Sequence, residues 1–325
     1  MMTVQRLCDL YLSHADGYYR KPKSRRRTSE YDSMKEATVP LLAVAGDLPA
    51  QAVTPQVLSQ ARDWLLTHRT NNSRGTVNAK ISRIKRVFRW GAQPERGYVP
   101  TGVYAQLATL SSLPYGRCSA RETEGIKDVE SDRITDLLAT LFDPPSNGQK
   151  PTPMMMFARR RLATMIELQR ETGMRPGELC AMTLQAIDTN GPGGTWLYRP
   201  YEHKTEHRGK QRVIVLFEPA RNLIARWTAN QTAGASGDRG DRGGRLFEMR
   251  VDSYRTALHR ALKRASQEPI TPQQFRHTAA TEVRRDHGLD AAQILLGHSS
   301  SRTTEGYAHI RLEEVVKSVQ EQRGL

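Results

Sequence analysis

Cysteine is scarce in this chain of 325 residues. There are three, Cys8, Cys118 and Cys180, far apart and odd in number. No CxxC or CxxH spacing occurs, so neither a zinc site nor a disulfide framework is expected, and the pattern suits a reducing compartment. No metal or cofactor is read from the sequence. Long apolar runs are also missing: none reaches the roughly 18 residues that a membrane-spanning helix requires. The opening stretch MMTVQRLCDLYLSHADGYYR lacks the apolar core of a secretory signal. Acidic residues are in deficit, with 34 Asp+Glu against 49 Lys+Arg, a net charge of +15. These shortages set aside secreted disulfide scaffolds, zinc modules and membrane proteins. They leave a basic protein, with pI near 10, whose surplus charge suits a polyanion, most often nucleic acid.

The length suggests two domains, because single cores rarely grow beyond roughly 250 residues. Residues 1–113 read as helical pieces with 17 Lys+Arg and 8 Asp+Glu, a net of +9; residues 114–325 carry 32 and 26, a net of +6. TVQRLCDLYLSHA places Val4, Leu7, Leu10 and Tyr11 on one helical face, and TPQVLSQARDWLLTH opens with Thr54 as N-cap and Pro55 at the first helical position. In GTVNAKISRIKRVFRWG, Val77, Ile81, Ile84 and Phe88 share one side, with Arg83, Lys85, Arg86 and Arg89 on the other. A basic face without interleaved acids suits phosphate contacts; a solvated face is the alternative. The cluster YYRKPKSRRR, ending in Arg25, Arg26 and Arg27, is too polar to pack and reads as a flexible arm or loop on the polyanion. Residues 114–125 lie in a Pro/Gly/Ser-rich linker, and 126–325 form the second domain.

That domain predicts a helix over Met154–Thr172 ending at Gly173, an alternating strand, a turn near Gly209, and a returning strand RVIVLF. Helices follow at about Asp252–Ser266, Thr271–His287, Asp290–Leu296, Thr303–His309 and Leu312–Gln322. Within this frame four motifs stand out. ETGMRPGELC puts Arg175 at a helix N-terminus with Glu178 a turn later, either an anion site or a pair bracing a turn. Lys204 in EHKTEHRGKQRVIVL sits near a hairpin tip, where most lysines are merely solvated. TPQQFRHTAAT places Arg276 and His277 at the start of a helix. LLGHSSSRTTEGYAHI carries His298 and, nine residues on, Tyr307, which by itself would be read as a packed aromatic.

Taken in order, TGMRPGEL, a hairpin Lys followed by Thr, RHTAAT, LGHS and TTEGY resemble the tyrosine recombinases, also called phage integrases. The separations suit that family: 22 residues from Arg276 to His298 and nine from His298 to Tyr307. The resemblance covers about residues 125–315. Breaking a DNA phosphodiester without losing its energy needs a covalent intermediate, which a tyrosine oxygen can form. The step is a phosphoryl transfer, so the protein chiefly positions groups and neutralises charge, and two arginines can do so without metal. The resemblance implies that Tyr307 is the nucleophile, Arg175 and Arg276 clamp the phosphate, Lys204 is the general acid, and His298 donates to the phosphate. Glu178 holds the arginine region in shape. One position departs from the family: Gln273 stands where a His, less often a Lys, is usual. His277, on the other side of Arg276, is by resemblance structural.

The expected fold is mostly α with a small β-sheet. A helical core-binding domain and a mixed α/β catalytic domain with a C-terminal tail helix would form a C-shaped DNA clamp. The expected function is site-specific recombination through a 3′-phosphotyrosine, for integration or excision of a mobile element. The partners expected are double-stranded DNA and, on it, three further copies in a tetramer, with a monomer free in solution and no membrane. The setting expected is cytoplasmic and nucleoid-associated, in a bacterium or phage. The tail stripe Leu312, Val315, Val316 and Val319 is expected to dock on a neighbouring protomer, with packing on its own core as the other reading. A type IB topoisomerase-like enzyme, a protelomerase and a catalytically silent DNA-binding relative remain alternatives.

Overall fold

The computed structural model describes residues 1–144, 150–202, 212–233, 244–296 and 316–322. Lys204, His298 and Tyr307 lie outside the described residues. The chain divides into two compact units, Met1–Gly125 and Ile126–Leu325.

The first unit is helical: α1 (Val4–Tyr18), α2 (Ser29–Ala45), α3 (Pro55–His68), α4 (Arg74–Gly91) and α5 (Thr101–Ala108). Local chemistry sets several of the starts. Thr3, Thr54 and Ser73 each accept a backbone N–H of the first turn, from Arg6, Val57 and Thr76. Val4, Leu7 and Tyr11 of α1 and the apolar stripe of α4, read as inward-facing in the sequence, enter the core, while Leu10 is half-buried. Leu7, Leu58, Leu65, Val77, Ile84 and Phe88 are fully buried, and α2 packs against α1, α3 and α4. The segment after α5 is fastened to this unit rather than free. Arg74 donates to both oxygens of Glu122 at 2.8 and 2.9 Å, and the Asn78 side chain bonds both backbone groups of Leu113.

The second unit contains α6 (Ser131–Thr140), α7 (Pro153–Thr172), α8 (Pro176–Cys180), β1 (Ile187–Asp188), β2 (Trp196–Tyr198), β3 (Ile214–Leu216), α9 (Glu218–Ala233), α10 (Val251–Arg264) and α11 (Pro272–Leu296). Residues 316–322 are helical. The fold is thus mostly α with one small sheet. The strands run antiparallel in the order β1-β2-β3, with Leu197 opposite Val215 and Tyr198 opposite Ile214. α7 is the central post and packs against α9, α10 and α11. It starts at the Thr152 cap and Pro153, and stops at Gly173, whose left-handed conformation (φ 60°) costs glycine little. Gly288 (φ 83°) breaks the helical geometry of α11, where the sequence separates two helices.

Because strand side chains alternate, the sheet has two faces to bury. Tyr198, Ile214 and Leu216 join the main helical core. Leu197, Val215 and Phe217 belong to a second cluster with Leu295, Val316 and Val319. The described part of the tail therefore lies on its own chain, as in the second reading of the stripe, while Leu312 and Val315 lie outside the described residues. Val316 and Val319 are each 1% exposed, and the Gln320 side chain donates to the Gly193 carbonyl at 2.7 Å. Each buried valine is worth about 1.5–3 kcal/mol. Replacing both by Asp is expected to release the tail, lower the melting temperature and raise binding of a hydrophobic dye in dilute protein. An unchanged melting curve would show that the tail contributes nothing to its own unit.

Candidate active site

The site starts at the end of α7. The turn at Gly173 hands the chain to Arg175, the residue that precedes α8. Glu178, one turn into α8, reaches back: its Oε2 accepts the Arg175 backbone N–H at 2.8 Å, and its Oε1 accepts from the Arg175 guanidinium at 2.8 Å. The backbone bond satisfies one of the donors that every helix start leaves open. α11 supplies the next member. Arg276 is 4% exposed and donates to the Gly173 carbonyl at 2.7 Å, which ties the start of α11 to the turn before Arg175.

A third arginine was not singled out in the sequence. Arg212, 5% exposed, forks onto Glu178 through Nε to Oε1 at 3.3 Å and Nη2 to Oε2 at 3.4 Å. Its signal was available. Arg212 is two residues before Ile214 and four before Leu216, so strand alternation sends it toward the buried face. A charge in phase with a core face needs a buried partner. β2 contributes as well, since the Tyr198 hydroxyl donates to the Glu178 carbonyl at 2.8 Å.

Arg175 and Arg212 thus hold one carboxylate, and Arg276 lies near enough to feel all three charges, a net of 3 − 1 = +2 in a largely buried setting. Burial first, then the charges of Arg175 and Arg212, push the Arg276 guanidinium down to about 10, while Glu178 opposes the shift. Burial acts to raise the Glu178 carboxyl, but the Arg212 charge, the Arg175 N–H and the Arg175 guanidinium hold it below its usual range. Arg175 is the most open of the charged side chains here, at 23% against 3% for both Arg212 and Glu178. An excess of fixed, forked donors in low dielectric is a receptor for a tetrahedral anion.

The other sequence candidates fall in several places. Gln273 is exposed in the first turn of α11, three residues before Arg276. His277 points elsewhere: its Nδ1 is 2.8 Å from Asp128, which also accepts from Thr281. It fastens the entry to the second unit. On α4, Arg83 and Arg86 both hold Glu30 of α2, at 2.8 Å each, and the Lys85 ammonium donates to the carbonyls of Ala108 and Leu110. Arg89 is exposed. The basic cluster is not a loose arm. Arg20 pairs with Arg27 across an antiparallel bridge, and Asp16 accepts from both side chains, while Arg25 and Arg26 remain exposed.

This cluster of arginines around the start of α8, the approach to β3 and the start of α11 is the most strongly charged buried group described in the second unit, and comparison places that unit in a known family. The model of the phage integrase family matches residues 151–314, half of the chain, and the chain belongs to that family. It is 25% identical over 306 residues to the tyrosine recombinase XerC of Bifidobacterium longum subsp. infantis, covering 79% of this chain and 82% of that one. It is 28% identical over 258 residues to tyrosine recombinase XerC of a Mycobacterium strain, covering 77% of each. Among solved structures, a lambda integrase tetramer bound to a Holliday junction superposes with TM-score 0.63 at 15% identity, over 94% of this chain and 80% of that one. The Tn1549 transposon integrase in complex with circular intermediate DNA gives 0.62 at 17% identity, over 96% and 100%.

Proposed function

We propose that the protein is a site-specific DNA recombinase that cuts and rejoins strands through a 3′-phosphotyrosine. The observation that carries this reading is the buried arginine cluster with its net positive charge, built on the segment that the family model covers. In the proposed reaction Arg175 and Arg276 hold the non-bridging oxygens of the scissile phosphate. The Tyr307 oxygen attacks phosphorus and gives its proton to solvent water as the bond forms and the bond to the 5′-oxygen breaks. Lys204 protonates the departing 5′-oxygen, and His298 donates to the phosphate. The 5′-hydroxyl of a second duplex then attacks the phosphotyrosine and restores the phenol. Strand exchange of this kind calls for four copies on paired sites. Integration or excision of a mobile element is the setting we infer, on intracellular bacterial or phage DNA.

The test is a plasmid carrying two copies of the sequence that the protein selects from a random duplex library. Deletion or inversion between the copies is expected. Relaxation of a plasmid without the site would favour a topoisomerase, and binding without any adduct would favour a silent relative.

Affinity and chemistry are expected to separate. The α4 face and the basic cluster supply phosphate contacts, with the exposed Arg25, Arg26 and Arg89 the ones free to move onto DNA. Changing these three to Ala should reduce the slope of log K against log salt by about three, one per lost contact. Arg83→Ala should instead lower the melting temperature, because it opens the bridge to Glu30. A full salt slope in the triple variant would turn this face away from DNA.

Gln273 tests how much the departure from the family matters. A glutamine amide still donates, but carries no charge and shuttles no proton. Loss of a donor at a transition-state oxygen costs about 10²–10³ in rate, so a residue that keeps a donor loses less. Gln273→His should raise single-turnover cleavage or leave it unchanged, and Gln273→Ala should lower it, though less than Arg276→Ala. An adduct formed only by Gln273→His would mark the unaltered protein as a silent binder.

A further inference from the structure

We propose that Arg212 is a positioning residue: it forks onto Glu178 from the buried side and so fixes the carboxylate that holds the phosphate-facing Arg175. The inference rests on reading the cluster as a phosphate site. Its basis is the geometry of one shared carboxylate. Glu178 gives one oxygen to the Arg175 guanidinium and the other to the Arg175 N–H. Arg212 contacts both oxygens from behind. Its side chain is 3% exposed against 23% for Arg175, so the two arginines have different work. The open one can reach a ligand, and among the described residues the closed one bonds Glu178 and the Val213 carbonyl. Arg212 also directly follows residues 203–211, which carry Lys204, and leads into β3. The same contact therefore ties the strand that follows Lys204 to the turn that carries Arg175.

The charge pattern agrees. Arg212 provides the largest of the influences that keep Glu178 ionised against burial. The groups facing that carboxyl are Arg175, Arg212, Arg276 and Tyr198, with Cys180 adjoining Tyr198. Burial holds the Cys180 thiol up at about 11 and the Tyr198 phenol higher still, so Glu178 is the member of this set that can change charge in the acid-to-neutral range. Without Arg212 the burial remains and the main opposing charge is gone, so the carboxyl ionises at a higher pH. Arg175 would then be held only at pH values above that point.

The probe is a nicked suicide duplex built on the selected sequence, with single-turnover adduct formation followed against pH. Arg212→Met should keep its circular dichroism and DNA affinity but cleave slower by on the order of 10²-fold, the usual cost of a small misplacement at a reacting centre. Its rate should climb with pH along a limb that the unaltered protein lacks. Arg212→Lys should recover part of the rate, since it keeps the charge and loses the fork. Combining Arg212→Met with Glu178→Gln should abolish the new limb and slow cleavage no further than the worse single change. A packing role alone would lower the rate with a parallel pH profile and additive losses, and either result overturns the inference. If Arg212→Met does not fold, Glu178→Gln decides: an undiminished rate there means that Glu178 positions nothing and overturns it too. A Tyr307-dependent adduct in the unaltered protein beside an unaffected Arg212→Met sinks this inference alone. No adduct in the unaltered protein sinks it together with the recombinase reading.

Discussion

Tyr307→Phe is expected to abolish the covalent protein–DNA adduct while changing DNA affinity by no more than about twofold, because affinity is spread over many phosphate contacts and one hydroxyl contributes little to it. The two readouts must part company. In the proposed reaction the phenol oxygen is the atom that bonds phosphorus, so its loss leaves no slower version of the same step. The expectation comes from TTEGY and its nine-residue spacing from His298. It is measured by denaturing gels for the adduct and mobility shifts for binding. An adduct retained by the Phe variant would move the nucleophile to another residue.

The second large effect is at Arg276. Replacing it by Ala removes a guanidinium that is 4% exposed and frees the Gly173 carbonyl it bonds. Transition-state charge then loses a fixed donor pair, and single-turnover cleavage should fall by at least about 10²–10³. Stability should respond much less. An unmade buried hydrogen bond costs about 1–3 kcal/mol, but the loss also relieves repulsion from Arg175 and Arg212. A variant with a near-normal melting temperature and severely reduced cleavage is the expected phenotype. Near-normal cleavage would mean that the cluster does not face the phosphate.

Much of the helical framework was legible because local chemistry and periodicity agreed. Thr54 before Pro55 and Gly173 closing α7 are boundary signals that work within one turn of chain. The stripe Val77, Ile81, Ile84 and Phe88 became core for the same reason. Where signals conflicted, elements were left undelimited. α2 carries Pro40 inside it, a residue that removes a helical N–H, so tertiary packing rather than local preference sustains that helix. On α4 the basic stripe was visible, but not that Glu30, more than fifty positions earlier, would sit against Arg83 and Arg86.

The site divides along the same line. Arg175 with Glu178 is a contact across three residues and could be read from spacing. Arg276 joins it from about a hundred residues away, and its place came from resemblance to a family, not from local chemistry. Arg212 belonged to neither source. It lay in a strand whose alternation marked it as inward-facing, yet its partner, Glu178, is 34 positions earlier. The tail shows the reverse case. Its apolar stripe was recognised, but a stripe does not name what covers it, and the described residues place Val316 and Val319 on the sheet of their own unit.

The account stands or falls on a covalent bond between DNA and one tyrosine. The direct measurement is to trap the unaltered protein on a nicked duplex of the selected sequence, digest both components, and identify the nucleotide-bearing peptide by mass spectrometry. A 3′-nucleotide on the Tyr307 phenol is the predicted result. A nucleotide on any other residue, or no modified peptide from a duplex the protein demonstrably binds, would contradict it.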